Sequence, residues 1–307
     1  MMYVFLIVGF VLLIKGADWF VEGSSAAAKL LKVPPLIIGL TVVSMGTSLP
    51  EASVSISAAL AGKNELAVSN AVGSNIFNLM VVCGVCAAIC PLSINKDTLR
   101  RDFPISIAAA GLLMGLGAIG MTVGHIDGIV MLILFAGFLC LMVASARKAR
   151  QKADDEYKSM PVWKLLVYMI VGIAAIVGGG KMVVSGASDI AREFGMSENL
   201  IGMTIVAFGT SLPELVTSVV AARKKEVDMA VGNVVGSNIF NILFVLGTAG
   251  AISPIAFSME NIIDTAVLII MTAVVMAMCF RKKELSRLHG WIMLVLYAGY
   301  TAYIFIR

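Results

Sequence analysis

Apolar stretches of about 20 residues recur along the whole chain, separated by short runs where Lys, Arg, Asp, Glu, Gly and Pro collect. A helix needs roughly 20 such residues to cross a hydrocarbon layer about 30 Å thick. The pattern predicts spans near 1–21, 35–61, 66–90, 103–123 and 126–146. A polar run from Arg147 to Ser159 follows, and then spans near 162–183, 198–222, 229–252, 262–280 and 288–306. The expectation is an all-α polytopic membrane protein of ten transmembrane helices: a five-helix unit at 1–146, a linker at 147–161 and a second five-helix unit at 162–307. The first stretch, Met1 to Val21, has neither a basic leader nor a small-residue cleavage site, so it reads as a retained span.

Composition agrees. Of 307 residues, 59% are hydrophobic and 14% charged, with a mean hydropathy of +0.96, which excludes an ordinary soluble domain. The net charge of +4 is no nucleic-acid footprint, because the cations are sorted by loop. With the N-terminus placed outside, the inside loops hold 18 Lys and Arg and the outside segments 4. The positive-inside rule then puts both termini on the extracellular or periplasmic side of the cell (inner) membrane and the linker in the cytoplasm. All five cysteines lie in apolar segments and read as packing residues. His125 and His289 sit at predicted helix ends, which argues against an intramembrane zinc protease and against haem ligation.

The strongest organising signal is internal. Gly39–Asn78 aligns without a gap on Gly202–Asn241 at an offset of 163, with 22 of 40 positions identical. The matches include GTSLPE at 46–51 and 209–214, and GSNIFN at 73–78 and 236–241. An odd number of spans per half reverses the second copy in the membrane, giving two inverted-topology repeats of the kind that secondary transporters use.

Each GTSLPE lies in the middle of an apolar span, where a carboxylate costs several kcal/mol unless something pairs with it or solvates it. Glu51 and Glu214 are therefore the leading functional candidates. The alternative, a protonated structural hydrogen-bonder, would have to arise twice at equivalent positions. Thr47, Glu51 and Ser55, and likewise Thr210, Glu214 and Ser218, are spaced to share one helix face. Asn70, Ser74 and Asn78, with Asn233, Ser237 and Asn241, repeat the spacing on the next helix. Pro50 and Pro213 have no N–H to donate to the carbonyls of Gly46 and Gly209, so each span should break near the midplane and free backbone oxygens.

Hard oxygen donors without thiolate or imidazole select Ca²⁺, Mg²⁺, Na⁺ or K⁺. Two carboxylates balance one divalent ion, and an irregular, flexible cage suits Ca²⁺ better than octahedral Mg²⁺. The same oxygens could hold several Na⁺ ions, and competition for one site is the basis of exchange.

With its paired GTSLPE and GSNIFN motifs in two five-helix halves, the chain resembles the cation/calcium exchanger superfamily, and within it the prokaryotic sodium/calcium exchangers. The resemblance covers essentially the whole chain, with the repeat motifs at about 39–78 and 202–241. It implies a secondary antiporter that trades Na⁺ for Ca²⁺ by alternating access, with both ions as transported substrates, no cofactor and no protein partner besides the lipid bilayer. It implies that Glu51 and Glu214 bridge Ca²⁺ and that the backbone carbonyls of Thr47 and Thr210 complete its coordination. Ser48, Ser74, Ser211 and Ser237 would form flanking Na⁺ sites, assisted by the carbonyls of Ser44 and Ala207, while Asn78 and Asn241 line the centre. The first spans of the two halves, through Gly16–Gly23 and Gly179–Gly186, would be the mobile gating pair. The K⁺-dependent branch characteristically carries Asp where this chain has Asn241, so K⁺ independence is expected. The linker is too short for a calcium-sensing domain. Ca²⁺/H⁺ antiport is the alternative, and a cation channel a more distant one. An enzyme is not expected, since no nucleophile–base set or nucleotide-binding loop is present.

Overall fold

The computed structural model describes residues 2–62, 65–150, 160–197 and 201–306, nearly all of them helical. Helix α1 (Met2–Leu31) leads into a bent pair, α2 (Pro35–Thr47) and α3 (Leu49–Leu60), and then α4 (Ala67–Ile89), α5 (Phe103–Ala118) and α6 (His125–Arg150). The same order recurs as α7 (Val162–Glu193), the bent pair α8 (Thr204–Thr210) and α9 (Leu212–Arg223), α10 (Val227–Ile252), α11 (Met259–Phe280) and α12 (Arg287–Ile306). Seven described helices are long and apolar enough to cross a membrane, and nine spans result if each bent pair counts as one.

Two departures from the expected boundaries have physical causes. The span expected near 103–123 has only 16 regular α-helical residues, because a π-helical turn, Thr98–Asp102, precedes it and a turn through Gly120 at φ 78° follows. At the other boundary, α6 runs past position 146 to Arg150, and cations in its last turn suit the negative end of the helix dipole. Residues 151–159 of the expected linker lie outside the described residues.

Helices α4 and α10 form the interior. The most apolar window of α10 is 94% buried, against 17% for α12. The outer helices turn Ile126, Ile133, Ile170 and Val295 outwards, as suits a lipid-facing surface, and Trp163 and Trp291 stand exposed near helix starts, where interfacial aromatics collect. Short antiparallel strand pairs join the halves: Leu92–Ser93 with Glu284–Leu285, and Thr122–Val123 with Ile255–Ala256.

The most extensive helix–helix contact is α1 on α7, and glycine makes it possible. Gly9, Gly16 and Gly23 recur every seven residues in α1, and their 163-offset counterparts Gly172, Gly179 and Gly186 do so in α7. A Cβ on Gly179 would lie 2.7 Å from Gly9 O, and one on Gly172 would lie 2.9 Å from Gly16 O. Backbone therefore rests on backbone, the close approach that small residues allow where lipid removes the hydrophobic drive for helix association. In the second half of α1, Lys224 Nζ lies 2.6 Å from Asp18 Oδ1 and 3.7 Å from Glu22 Oε2. There Ser25 also donates to Glu226 Oε1 at 2.5 Å, so α1 is tied by polar contacts to the turn after α9.

Candidate ion-binding site

The site is built where each bent pair breaks. Pro50 and Pro213 occupy the first turn of α3 and α9, where a missing N–H costs nothing. The residue before each new helix leaves helical geometry: Ser48 has φ −83° and ψ 11°, and Ser211 has φ −94° and ψ 5°. The axis turns by 50° at the first break and 48° at the second. Glu51 and Glu214 thus fall in the first turns of α3 and α9, whose partly positive N-termini favour a carboxylate.

Four of the five described π-helical turns also recur in pairs at this level: Gly39–Val43 with Gly202–Val206, and Asn78–Val82 with Asn241–Leu246. Such turns loosen the regular backbone bonding and are frequent at functional sites. Asn78 and Asn241 each open one of them.

Each serine at a break reaches across to the glutamate of the other half. Ser48 Oγ donates to Glu214 Oε1 at 2.7 Å, and Ser211 Oγ donates to Glu51 Oε1 at 3.1 Å. Ser211 Oγ is also 3.1 Å from Ser74 Oγ, which in turn lies 3.5 Å from Glu51 Oε1. Around this centre the halves again match: Asn70 Nδ2 donates to Ser55 Oγ at 3.3 Å, and Asn233 Nδ2 to Ser218 Oγ at 2.9 Å. Thr47 Oγ1 lies 3.1 Å from Asn233 Oδ1 and 3.1 Å from Val43 O. Glu51, Glu214, Ser48, Ser211, Thr47, Asn78, Asn241 and Ser237 are fully buried, and Ser74 nearly so.

Hydrogen bonds thus bring together Ser48, Glu214, Ser211, Glu51 and Ser74, and Thr47 joins them through Asn233, whose Nδ2 lies 3.5 Å from Glu214 O. Thr210 ends α8, one residue before the break, and Ala207 opens the segment Ala207–Thr210. The carbonyl of Ser44 is already engaged, accepting from Ser48 N at 3.0 Å and lying 3.3 Å from Thr47 Oγ1. The sequence reading missed Asn75 and Asn238. Asn75 Nδ2 donates to Asn238 O at 3.0 Å, and Asn238 Nδ2 donates to Asn75 O at 3.2 Å, a crossed pair that joins α4 to α10 at the level of the site. Their signal was present, since each is the third residue of a duplicated GSNIFN.

The unpaired atoms show what the arrangement can hold. Glu51 Oε2, Glu214 Oε2, Ser237 Oγ, Asn78 Oδ1 and Asn241 Oδ1 are buried without a hydrogen-bond partner among the described residues. Buried oxygens in such number are uncommon in a packed interior, and oxygens of this kind are what a hard cation takes as ligands. No three His, Cys, Asp or Glu side chains cluster as a metal site among the described residues; the oxygens beside the two carboxylates are neutral hydroxyls and amides.

A buried cage with two acidic groups, shared between two like halves of a helical membrane protein, is the mark of an ion carrier. Comparison with known proteins agrees. The model of the sodium/calcium exchanger protein family matches residues 1–144 and 164–306, and the chain belongs to that family. It is 40% identical over 321 residues to the putative antiporter CaxA of Alkalimonas amylolytica, covering 98% of each chain. It is also 38% identical over 295 residues to the inner membrane protein YrbG of Escherichia coli, covering 91% of this chain and 88% of that one. Among solved structures it is similar to the sodium-calcium exchanger NCX_Mj soaked with Na⁺ and Sr²⁺, with a TM-score of 0.87 and 32% identity over 98% of this chain and 99% of that one. The protein is a multi-pass membrane transporter of cations and not an enzyme.

Proposed function

We propose that the protein is a secondary antiporter that exchanges Na⁺ for Ca²⁺ by alternating access, without requiring or carrying K⁺. The observation that carries this reading is the pair of crossed bonds, Ser48 to Glu214 and Ser211 to Glu51. They join the carboxylates of both halves in one site, so an ion bound there is held by both halves and is exposed when either moves. Two carboxylates offset one Ca²⁺, and the surrounding hydroxyls and amides can solvate Na⁺ when Ca²⁺ leaves.

On this reading the chain forms ten spans, with the helix Phe103–Ala118 and its preceding π-turn as the fourth. The units 1–146 and 162–307 are inverted repeats in the inner membrane, with both termini outside and the linker at 147–161 in the cytoplasm. Glu51 and Glu214 bridge Ca²⁺ together with the carbonyls of Thr47 and Thr210, and Ser48, Ser74, Ser211 and Ser237 serve flanking Na⁺ sites. The carbonyls of Ser44 and Ala207 assist those sites, while Asn78 and Asn241 line the centre. The backbone-on-backbone seam between α1 and α7 offers no interlocking side chains at its glycines, which suits helices that slide as gates. NCX_Mj, a sodium-calcium exchanger, supports the ion pair. The test is Ca²⁺ uptake into sealed vesicles driven by an imposed Na⁺ gradient or by an imposed pH gradient. Uptake with the first alone is expected, and uptake with the second alone would make the protein a Ca²⁺/H⁺ antiporter.

A further inference from the structure

The crossed amides at the centre break the match between the halves. Each Nδ2 of Asn75 and Asn238 donates to a backbone carbonyl, which can only accept, so the orientation of both amides is fixed. Each Oδ1 is then available as an acceptor. Asn75 Oδ1 takes a hydrogen bond from Asn241 Nδ2 at 3.1 Å. The 163-offset counterpart, Asn78 Nδ2 to Asn238 Oδ1, is not made. Asn78 Nδ2, Asn78 Oδ1 and Asn238 Oδ1 are all buried without a partner among the described residues. The four residues are the same amino acid in both halves, so the difference does not lie in these side chains themselves. It lies in how the surrounding elements hold them.

We propose that Asn75 and Asn238 form an amide switch, holding Asn241 in one access state and Asn78 in the other. On the exchanger reading above, from which this follows, one half moves against the other around the shared site, and in the switch each half takes up the amide arrangement that the other had. Asn241 is then released, and Asn78 Nδ2 closes onto Asn238 Oδ1. The held amide has its donor tied back and its Oδ1 left to an ion, as Asn241 Oδ1 is here. The released amide is free to turn. Asn75 and Asn238 are positioning residues: they act on the ion only through the amide each one holds.

The test is hydrogen exchange of the cation-free protein in nanodiscs, following peptides from the two aqueous sides of the bent pairs. Asn75→Ala removes the acceptor used in the state described here, and Asn238→Ala removes the acceptor used in the other. Each variant also loses its own Nδ2 bond in the crossed pair, which both states share, so the one state-specific hydrogen bond lost should shift the population roughly fivefold. The two variants should shift protection in opposite directions, and the double variant should return towards wild type. Shifts in the same direction, or none, would overturn the switch, since a purely structural crossed pair predicts no opposition. Should the variants fail to fold, a structure of the wild type in the opposite access state decides: Asn78 bonded to Asn238 supports the switch, and Asn241 still bonded to Asn75 refutes it. Exchange is read here without flux. A wild type lacking Na⁺-driven Ca²⁺ transport would therefore count against the exchanger reading, and same-direction shifts in an exchanging wild type against the switch alone.

Discussion

Replacing Gly16 by Ala places a methyl group where α1 and α7 leave no space. Its Cβ would lie 2.8 Å from Gly172 O, 2.8 Å from Ala175 Cβ and 2.9 Å from Ile176 N. Carbon contacts are comfortable near about 3.5 Å, so the helices must part locally by roughly half an ångström. Two of the three obstructing atoms are backbone, and no rotamer change moves them. Overpacking of this kind costs about 1–3 kcal/mol, against about 1 kcal/mol recovered because Ala is the better helix former. Gly137→Ala is the matched control, since nothing lies within 4 Å of its Cβ position and only the propensity gain applies. Thermal unfolding in detergent should show Gly16→Ala less stable than wild type and Gly137→Ala equal or slightly more stable. Ca²⁺ flux in proteoliposomes should fall for Gly16→Ala by more than its folded fraction if, as proposed, the seam is also where the gates slide. A Gly16→Ala protein with wild-type stability and flux would refute the account of the seam.

Asn241 carries the prediction on potassium. Replacing K⁺ by choline at fixed membrane potential should leave wild-type Ca²⁺ flux unchanged, whereas Asn241→Asp adds a third carboxylate and should make flux respond to K⁺; wild-type flux lost without K⁺ would contradict this. Exchange of three Na⁺ for one Ca²⁺ moves one net charge, worth about 2.3 kcal/mol per 100 mV, so an inside-negative potential should speed Ca²⁺ extrusion. Flux indifferent to a clamped potential would mean two Na⁺ instead. Lys224→Ala removes partly exposed ion pairs to Asp18 and Glu22, so its effect on stability should stay under about 1 kcal/mol and vanish at high salt. A larger, salt-insensitive loss would show that the contact is more than a screened surface pair.

The glutamates were legible because a carboxylate in an apolar span is costly and this one is written twice. The breaks were legible from Pro50 and Pro213, although the kinked residues prove to be Ser48 and Ser211, two residues past Gly46 and Gly209, to whose carbonyls proline can donate no N–H. The crossing of each serine to the opposite glutamate was not legible, because it depends on how the halves dock. The π-helical turns were hidden for a different reason: an i to i−5 hydrogen bond leaves no periodic mark in the sequence. Asn75 and Asn238 were visible in GSNIFN but fall off the face shared by Ser74 and Asn78, so helical spacing alone passed them over. The seven-residue glycine spacing in α1 and α7 stands in the sequence. Its meaning emerged only when the two helices were found backbone to backbone.

The central claim is that Glu51 and Glu214 together hold the transported Ca²⁺. It is tested most directly by ⁴⁵Ca²⁺ uptake into proteoliposomes under an outward Na⁺ gradient, comparing wild type with Glu51→Gln and Glu214→Gln. Glutamine keeps the shape and removes one charge from a buried site that must offset a divalent ion. The account predicts Na⁺-dependent uptake by the wild type and none above background by either variant, with both variants still folded and inserted. Wild-type uptake by either variant would remove that glutamate from the site and contradict the account.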